Sequence, residues 1–164
     1  MEDPGSQSLL LQFVVLLILT LFNAFFSASE MALVSLNRSK VEQKAEEGDK
    51  RYRRLLDVLE NPNNFLSTIQ VGITFISLLQ GASLSASLGH VISGWLGNSA
   101  TARTAGSIIA LIFLTYVSIV LGELYPKRIA MNLKDRLAIV SAPIIIFLGK
   151  IVSPFVWSVS YTHL

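Results

Sequence analysis

Long apolar runs separated by polar segments set the pattern of this chain. The run from Leu9 to Phe26 is interrupted only by Gln12, Thr20 and Asn23, and it ends in Ser27, Ser29 and Glu30. No Asp, Glu, Lys or Arg occurs between Glu60 and Arg103, nor between Arg103 and Glu123. At about 1.5 Å per helical residue, such runs reach across a hydrocarbon core of roughly 30 Å. The pattern predicts spanning helices over about 9–35, 64–97 and 104–122. The second run exceeds what one crossing needs, so it is expected to tilt, kink or break near Gly81 or Gly89.

The segments between and after the spans have a different texture. Acid and base mix at helical spacing in 38–60, as in Glu46 with Lys50, which predicts a juxtamembrane helical segment stopped at Pro62. Residues 137–160 are apolar enough for a fourth crossing but contain Pro143, Pro154 and a central Lys150. A lysine at the bilayer centre costs about 2.5–3.5 kcal/mol even on the lenient insertion scale. A bent juxtamembrane helix over about 126–160, lying at the interface with Trp157 and Tyr161 as anchors, is therefore expected in place of a crossing. The fold class is all-α integral membrane, in a single transmembrane domain over 1–164.

Composition agrees: 52% of residues are hydrophobic and 15% charged, too few charges for an ordinary soluble domain. Arg38, Lys40, Lys44, Lys50, Arg51, Arg53 and Arg54 lie between the first two spans, and Lys127, Arg128, Lys134 and Arg136 follow the third. The positive-inside rule then puts the N-terminus outside and the basic loops and C-terminus in the cytoplasm, in a plasma or bacterial inner membrane. Glu2 and Asp3 without a basic leader argue against a cleaved signal peptide. The basic segment is read as a topology signal against anionic lipid, not as a nucleic-acid surface. No soluble domain follows Ser160-Tyr161-Thr162-His163-Leu164, so the chain is expected to be the membrane module of a larger protein.

Cysteine is absent, and the two histidines, His90 and His163, are far apart in the sequence with no partner at ligand spacing. Neither a catalytic constellation nor a phosphate-cradling glycine loop can be assembled, so an enzyme is not expected.

Polar residues inside spans carry the functional signal, because each is costly in lipid unless it faces protein or water. Asn23, Ser27 and Glu30 stand at i, i+4 and i+7 and share one helical face; Ser67, Gln70, Thr74 and Ser77 share another. Thr115, Ser118 and Gly122 align on the third helix, with Glu123 closing it. Single serines and threonines in such helices mostly bond back to a carbonyl or join helices, and Lys127 one turn on is a competing partner for Glu123. Jointly, hydroxyls, amides, carbonyls and carboxylates without thiolate or imidazole suit a hard cation such as Mg²⁺, and Na⁺ accepts much the same set. Pro126 removes the donor that would bond the Gly122 carbonyl, so a loosened or π-bulged turn is expected at Gly122-Glu123-Leu124-Tyr125-Pro126.

Three segments now bear on family: Asn23 to Val41, Asn61 to Gly81, and Gly122 to Met131. Together they resemble the transmembrane domain of the CorC/cyclin M magnesium transporters, over roughly residues 8–160. The resemblance implies three spanning helices with a cytoplasmic belt of juxtamembrane helices, in a homodimer. It also implies a cytosolic, ATP-binding CBS-pair domain and often a CorC domain in the full-length protein, both absent from this chain. The implied activity is Mg²⁺ export, driven by inward Na⁺, with Ser27, Ser67, Gln70, Gly122 and Glu123 lining an inward-facing cavity. Asn23 and Glu30 join that metal set by helical spacing. Two rivals remain: a membrane anchor and dimerisation module for a cytosolic sensor, and a divalent cation channel.

Overall fold

The computed structural model describes the backbone of residues 4–96 and 99–161, and side chains within 10–81, 99–102 and 104–151. Every regular element among the described residues is helical. In order they are α1 (Pro4–Val34), α2 (Arg38–Glu46), α3 (Lys50–Glu60), α4 (Pro62–Leu96) and α5 (Ala100–Ile119), then a π-helical turn (Val120–Leu124), α6 (Tyr125–Asn132) and α7 (Lys134–Tyr161).

Local chemistry explains the boundaries. Asn37 accepts from the Lys40 N–H at 3.3 Å and starts α2. Asp49 accepts from the Arg51 N–H at 2.9 Å and starts α3, and Ser99 accepts from the Ala102 N–H at 3.1 Å and starts α5. Each side-chain oxygen satisfies an amide that the helix itself leaves unpaired. Between α2 and α3, Gly48 takes φ +93°, which side-chain-bearing residues rarely adopt. The juxtamembrane helical segment expected over 38–60 thus consists of two helices. Pro62 does separate α3 from α4, and it also serves as the first residue of α4, where its missing N–H would have had no partner.

Of the alternatives tilt, kink or break, the break is absent: α4 continues as helix through both Gly81 and Gly89, and α7 likewise continues as helix through Pro143 and Pro154. A proline removes one donor from a helix, which weakens it locally without necessarily ending it. Within 126–160 the helical assignment is interrupted at Leu133, between α6 and α7.

Among the described residues, two helical stretches are long and apolar enough to cross a membrane, Leu10–Val34 and Ala100–Asn132. Their outward faces are rich in large apolar side chains, among them Leu10, Phe13 and Leu21 on α1, and Ile112, Phe113 and Tyr116 on α5. Exposed apolar surface on this scale is what lipid, not water, would cover. The C-terminal half of the expected second span falls where side chains are not described, as do His90, Trp157 and Tyr161; His163 lies outside the described residues.

The chain forms two compact units, the first from Met1–Phe25 with Ile73–Pro126, the second from Phe26–Gly72 with Lys127–Leu164. In the first, Ile76, Ala110 and Leu114 are buried, and Gln80 is buried among them as a polar member. In the second, α3 packs against both α2 and α7. Its buried residues Tyr52, Leu55 and Val58 share the interior with Val41, Ala138 and Ile145. Lys40 on α2 is ion-paired with Asp135 on α7, which raises the lysine pKa through a direct hydrogen bond and the carboxylate's charge.

Candidate cation site

In the first unit, the π turn is closed by the Tyr125 N–H bonding to the Val120 carbonyl, five residues back. Pro126 has no N–H with which to make the ordinary bond to Gly122. The widened turn expected from Pro126 is therefore present, and it carries Gly122 and Glu123. Gly122 is buried, and a Cβ there would stand 2.8 Å from Asn23 Nδ2. Only a glycine lets the α1 amide lie so close to the turn.

A cavity of about 180 Å³ adjoins this contact, lined by Asn23, Ser77, Gln80, Thr115, Ser118 and Glu123 together with apolar residues. Its polar wall is organised by Gln80, which donates from Nε2 to Thr20 Oγ1 at 3.0 Å and accepts at Oε1 from Ser118 Oγ at 3.0 Å. Asn23 is 3% exposed, yet its Oδ1 has no hydrogen-bond partner. Leaving a buried carbonyl oxygen unmade costs about 1–3 kcal/mol, so a group of this kind calls for an explanation. Oxygen donors around one carboxylate are the chemistry of a hard-cation site. No cluster of three or more His, Cys, Asp or Glu exists among the described residues, so any ion held here would rest mainly on neutral oxygens.

Of the seven residues singled out from the sequence, Asn23, Gly122 and Glu123 belong to this first unit, and Asn23 and Glu123 line the same cavity. The other four belong to the second unit. There Ser27 is fully buried with an unpartnered Oγ. Glu30 is ion-paired with Lys127 at 3.2 Å, so that lysine engages Glu30, a pairing that helical spacing alone does not suggest. Ser67 is exposed on the wall of a separate, larger cavity within the second unit, and Gln70 is exposed. Sequence reasoning missed Thr20 and Gln80, although Thr20 lies three residues before Asn23 and Gln80 three after Ser77, on the stripes already traced. It also missed Ser141, buried on α7 with an unpartnered Oγ.

The description "Cyclin M transmembrane N-terminal domain" matches residues 13–163. This chain belongs to the cyclin M transmembrane family. A UPF0053 protein of Synechocystis is 36% identical over 156 residues, covering 93% of this chain and 35% of that protein. The UPF0053 inner membrane protein YfjD of Escherichia coli is 29% identical over 135 residues, 82% of this chain and 29% of its own length. A Haemophilus influenzae relative named "Polyamine export protein" is 30% identical over 143 residues, 85% of this chain and 33% of its own. The chain thus spans about a third of the length of these family members. The family resemblance read from the three sequence segments is correct, and the chain is a membrane protein of that family.

Proposed function

We propose that this chain is the membrane domain of a Mg²⁺ exporter, with the first-unit cavity as its cation site. The observation that carries the reading is the buried, unpartnered Oδ1 of Asn23 on the wall of a cavity that also holds Glu123. Mg²⁺ prefers oxygen ligands and retains waters, so one carboxylate with a few neutral oxygens and bound water suits it. Glu123 supplies charge and Asn23 a carbonyl oxygen, and Gly122 lets the Asn23 amide lie against the widened turn that carries Glu123. Ions enter from the cytoplasmic side, exchange part of their hydration for these oxygens, and leave outward as the helices rearrange, with inward Na⁺ as the driving ion. The topology has the N-terminus outside and the basic loops inside. The working unit is a homodimer whose full-length form adds a cytosolic CBS-pair domain.

A second reading is favoured by the relative whose name is polyamine export. An extended polycation needs several separated anions, whereas the described lining of this cavity holds Glu123 as its one carboxylate. That charge count supports a small inorganic cation over a polyamine.

The test is calorimetric titration of the detergent-purified chain and its Glu123→Ala variant with Mg²⁺, with and without Na⁺, and with spermidine. Saturable Mg²⁺ binding that Na⁺ weakens and the variant lacks is the expected result. Binding of Mg²⁺ unchanged in Glu123→Ala would overturn the assignment. Saturable spermidine binding without Mg²⁺ binding would replace it with the second reading, and binding of neither would favour the anchor role.

A further inference from the structure

The larger cavity lies in the second unit, apart from the residues used above. It measures about 420 Å³, in the size range of small-ligand sites, and is built from α3, the start of α4 and α7. Its walls divide chemically. Val58, Phe65 and Ile145, all buried, and Ile146 form an apolar side. Arg54 and Lys150, both exposed, are its cationic members, with Asp57 as the one opposing carboxylate, and Asn61, Asn64 and Ser67 add neutral hydrogen-bonding groups. Two cations against one anion leave the lining with net charge +1.

The packing that forms the cavity is specific. A Cβ on Gly149 would stand 2.9 Å from Thr68 Oγ1, so glycine lets α7 lie directly on the first turns of α4. Thr68 in turn bonds its hydroxyl back to the Asn64 carbonyl at 2.7 Å, a turn earlier. This places Lys150, which the sequence marks as the costly residue of an otherwise apolar segment, at a pocket that also receives Arg54.

We propose that this cavity is a binding site for an anionic phospholipid, its phosphate held between Arg54 and Lys150 and the start of an acyl chain lying along Phe65 and Ile146. Basic pockets beside membrane helices hold anionic headgroups by charge, and an adjoining apolar wall selects a lipid over a free phosphate. A polycation is excluded from the role because the lining is net positive. The site also gives Lys150 a reason to stand in α7: it answers a headgroup at the interface instead of crossing the bilayer.

Native mass spectrometry of the chain released from detergent tests this with added phosphatidylglycerol, phosphatidylcholine, glycerol phosphate and inorganic phosphate. The native chain is expected to retain phosphatidylglycerol in preference to phosphatidylcholine. Each basic side chain near an anionic surface favours binding roughly fivefold, so the double variant Arg54→Gln/Lys150→Gln should lose about 25-fold. A control that removes two basic groups elsewhere, Lys134→Gln/Arg136→Gln, should keep the preference, and Ile146→Asn should weaken lipid retention without removing either cation. Equal retention of the two lipids, or an undiminished preference in Arg54→Gln/Lys150→Gln, would overturn the proposal. Displacement of lipid by inorganic phosphate or glycerol phosphate at equal concentration would overturn it also, by assigning the pocket to a soluble anion.

Discussion

At position 122, a single hydrogen in place of a methyl group determines whether Asn23 can reach the turn. A Cβ 2.8 Å from Asn23 Nδ2 would push the amide away from its present place. Overpacking of this kind costs about 1–3 kcal/mol, and the helix propensity gained by Gly→Ala returns about 1. Gly122→Ala is therefore expected to fold, with a modest fall in melting temperature, while its Mg²⁺ affinity drops about 10- to 100-fold, as when a supporting contact of a metal ligand is lost. Calorimetry beside a thermal melt checks both parts; native affinity would mean that Asn23 is not a ligand. On the opposite side of the chain's chemistry, Asp49 caps α3 and is held below the ordinary carboxylate range, chiefly by the side-chain hydrogen bond from Arg51 and then by the Arg51 amide. Because the folded pKa is depressed, the capping contribution is present above the ordinary carboxylate pKa and is lost as pH falls through the lowered value. Carboxyl NMR titration should show Asp49 protonating later on acidification than a free aspartate, and Arg51→Ala should move it back upward.

At the scale of elements, the π turn and the Gln80 contacts set the first-unit cavity. Pro126→Ala restores the missing donor, so an ordinary α turn becomes available at Gly122. That variant is expected to melt at a higher temperature yet bind Mg²⁺ more weakly, because the turn that carries Glu123 tightens; unchanged binding would separate the turn from the site. Gln80 bonds Thr20 on α1 and Ser118 on α5, and interhelical hydrogen bonds in membrane proteins average about 0.6 kcal/mol each. Gln80→Leu should therefore destabilise the chain by about 1 kcal/mol, measurable as a shift in a denaturation midpoint in mixed detergent. Elements also show where sequence patterning was sufficient. The widened turn before Pro126 was legible because it follows from one missing N–H. Continuity through Gly81 and Pro143 was not, since a local breaker only weakens a helix whose remaining bonds stay intact.

For the whole molecule, the decisive features are the lipid-facing apolar surface and the uneven distribution of basic residues. The proposed topology makes a direct prediction, helped by a chain without cysteine. A single cysteine at Glu46 on α2 should react with an impermeant maleimide only from the cytoplasmic side, and one at Ser99 only from the outside. The reverse pattern would invert the orientation and with it the inward-facing reading of the cavity. The Lys40–Asp135 pair joins α2 to α7 within the second unit, but both groups are partly solvated, and exposed pairs contribute little. Packing of Tyr52, Leu55 and Ile145 stabilises that unit more, because it removes large apolar side chains from water.

The amino-acid sequence by itself determined the helical class, the apolar stretches, the widened turn at Pro126 and the family, because these depend on periodicity, on backbone donors and on residues close in the chain. Tertiary structure alone decided which polar residues keep unpartnered oxygens, that Gln80 bonds both Thr20 and Ser118, that Glu30 faces Lys127, and that Arg54 and Lys150 share a cavity. Helical spacing assigns a residue to a face of its own helix; whether a neighbouring helix brings a partner, a cation or empty space to that face depends on packing between segments far apart in sequence.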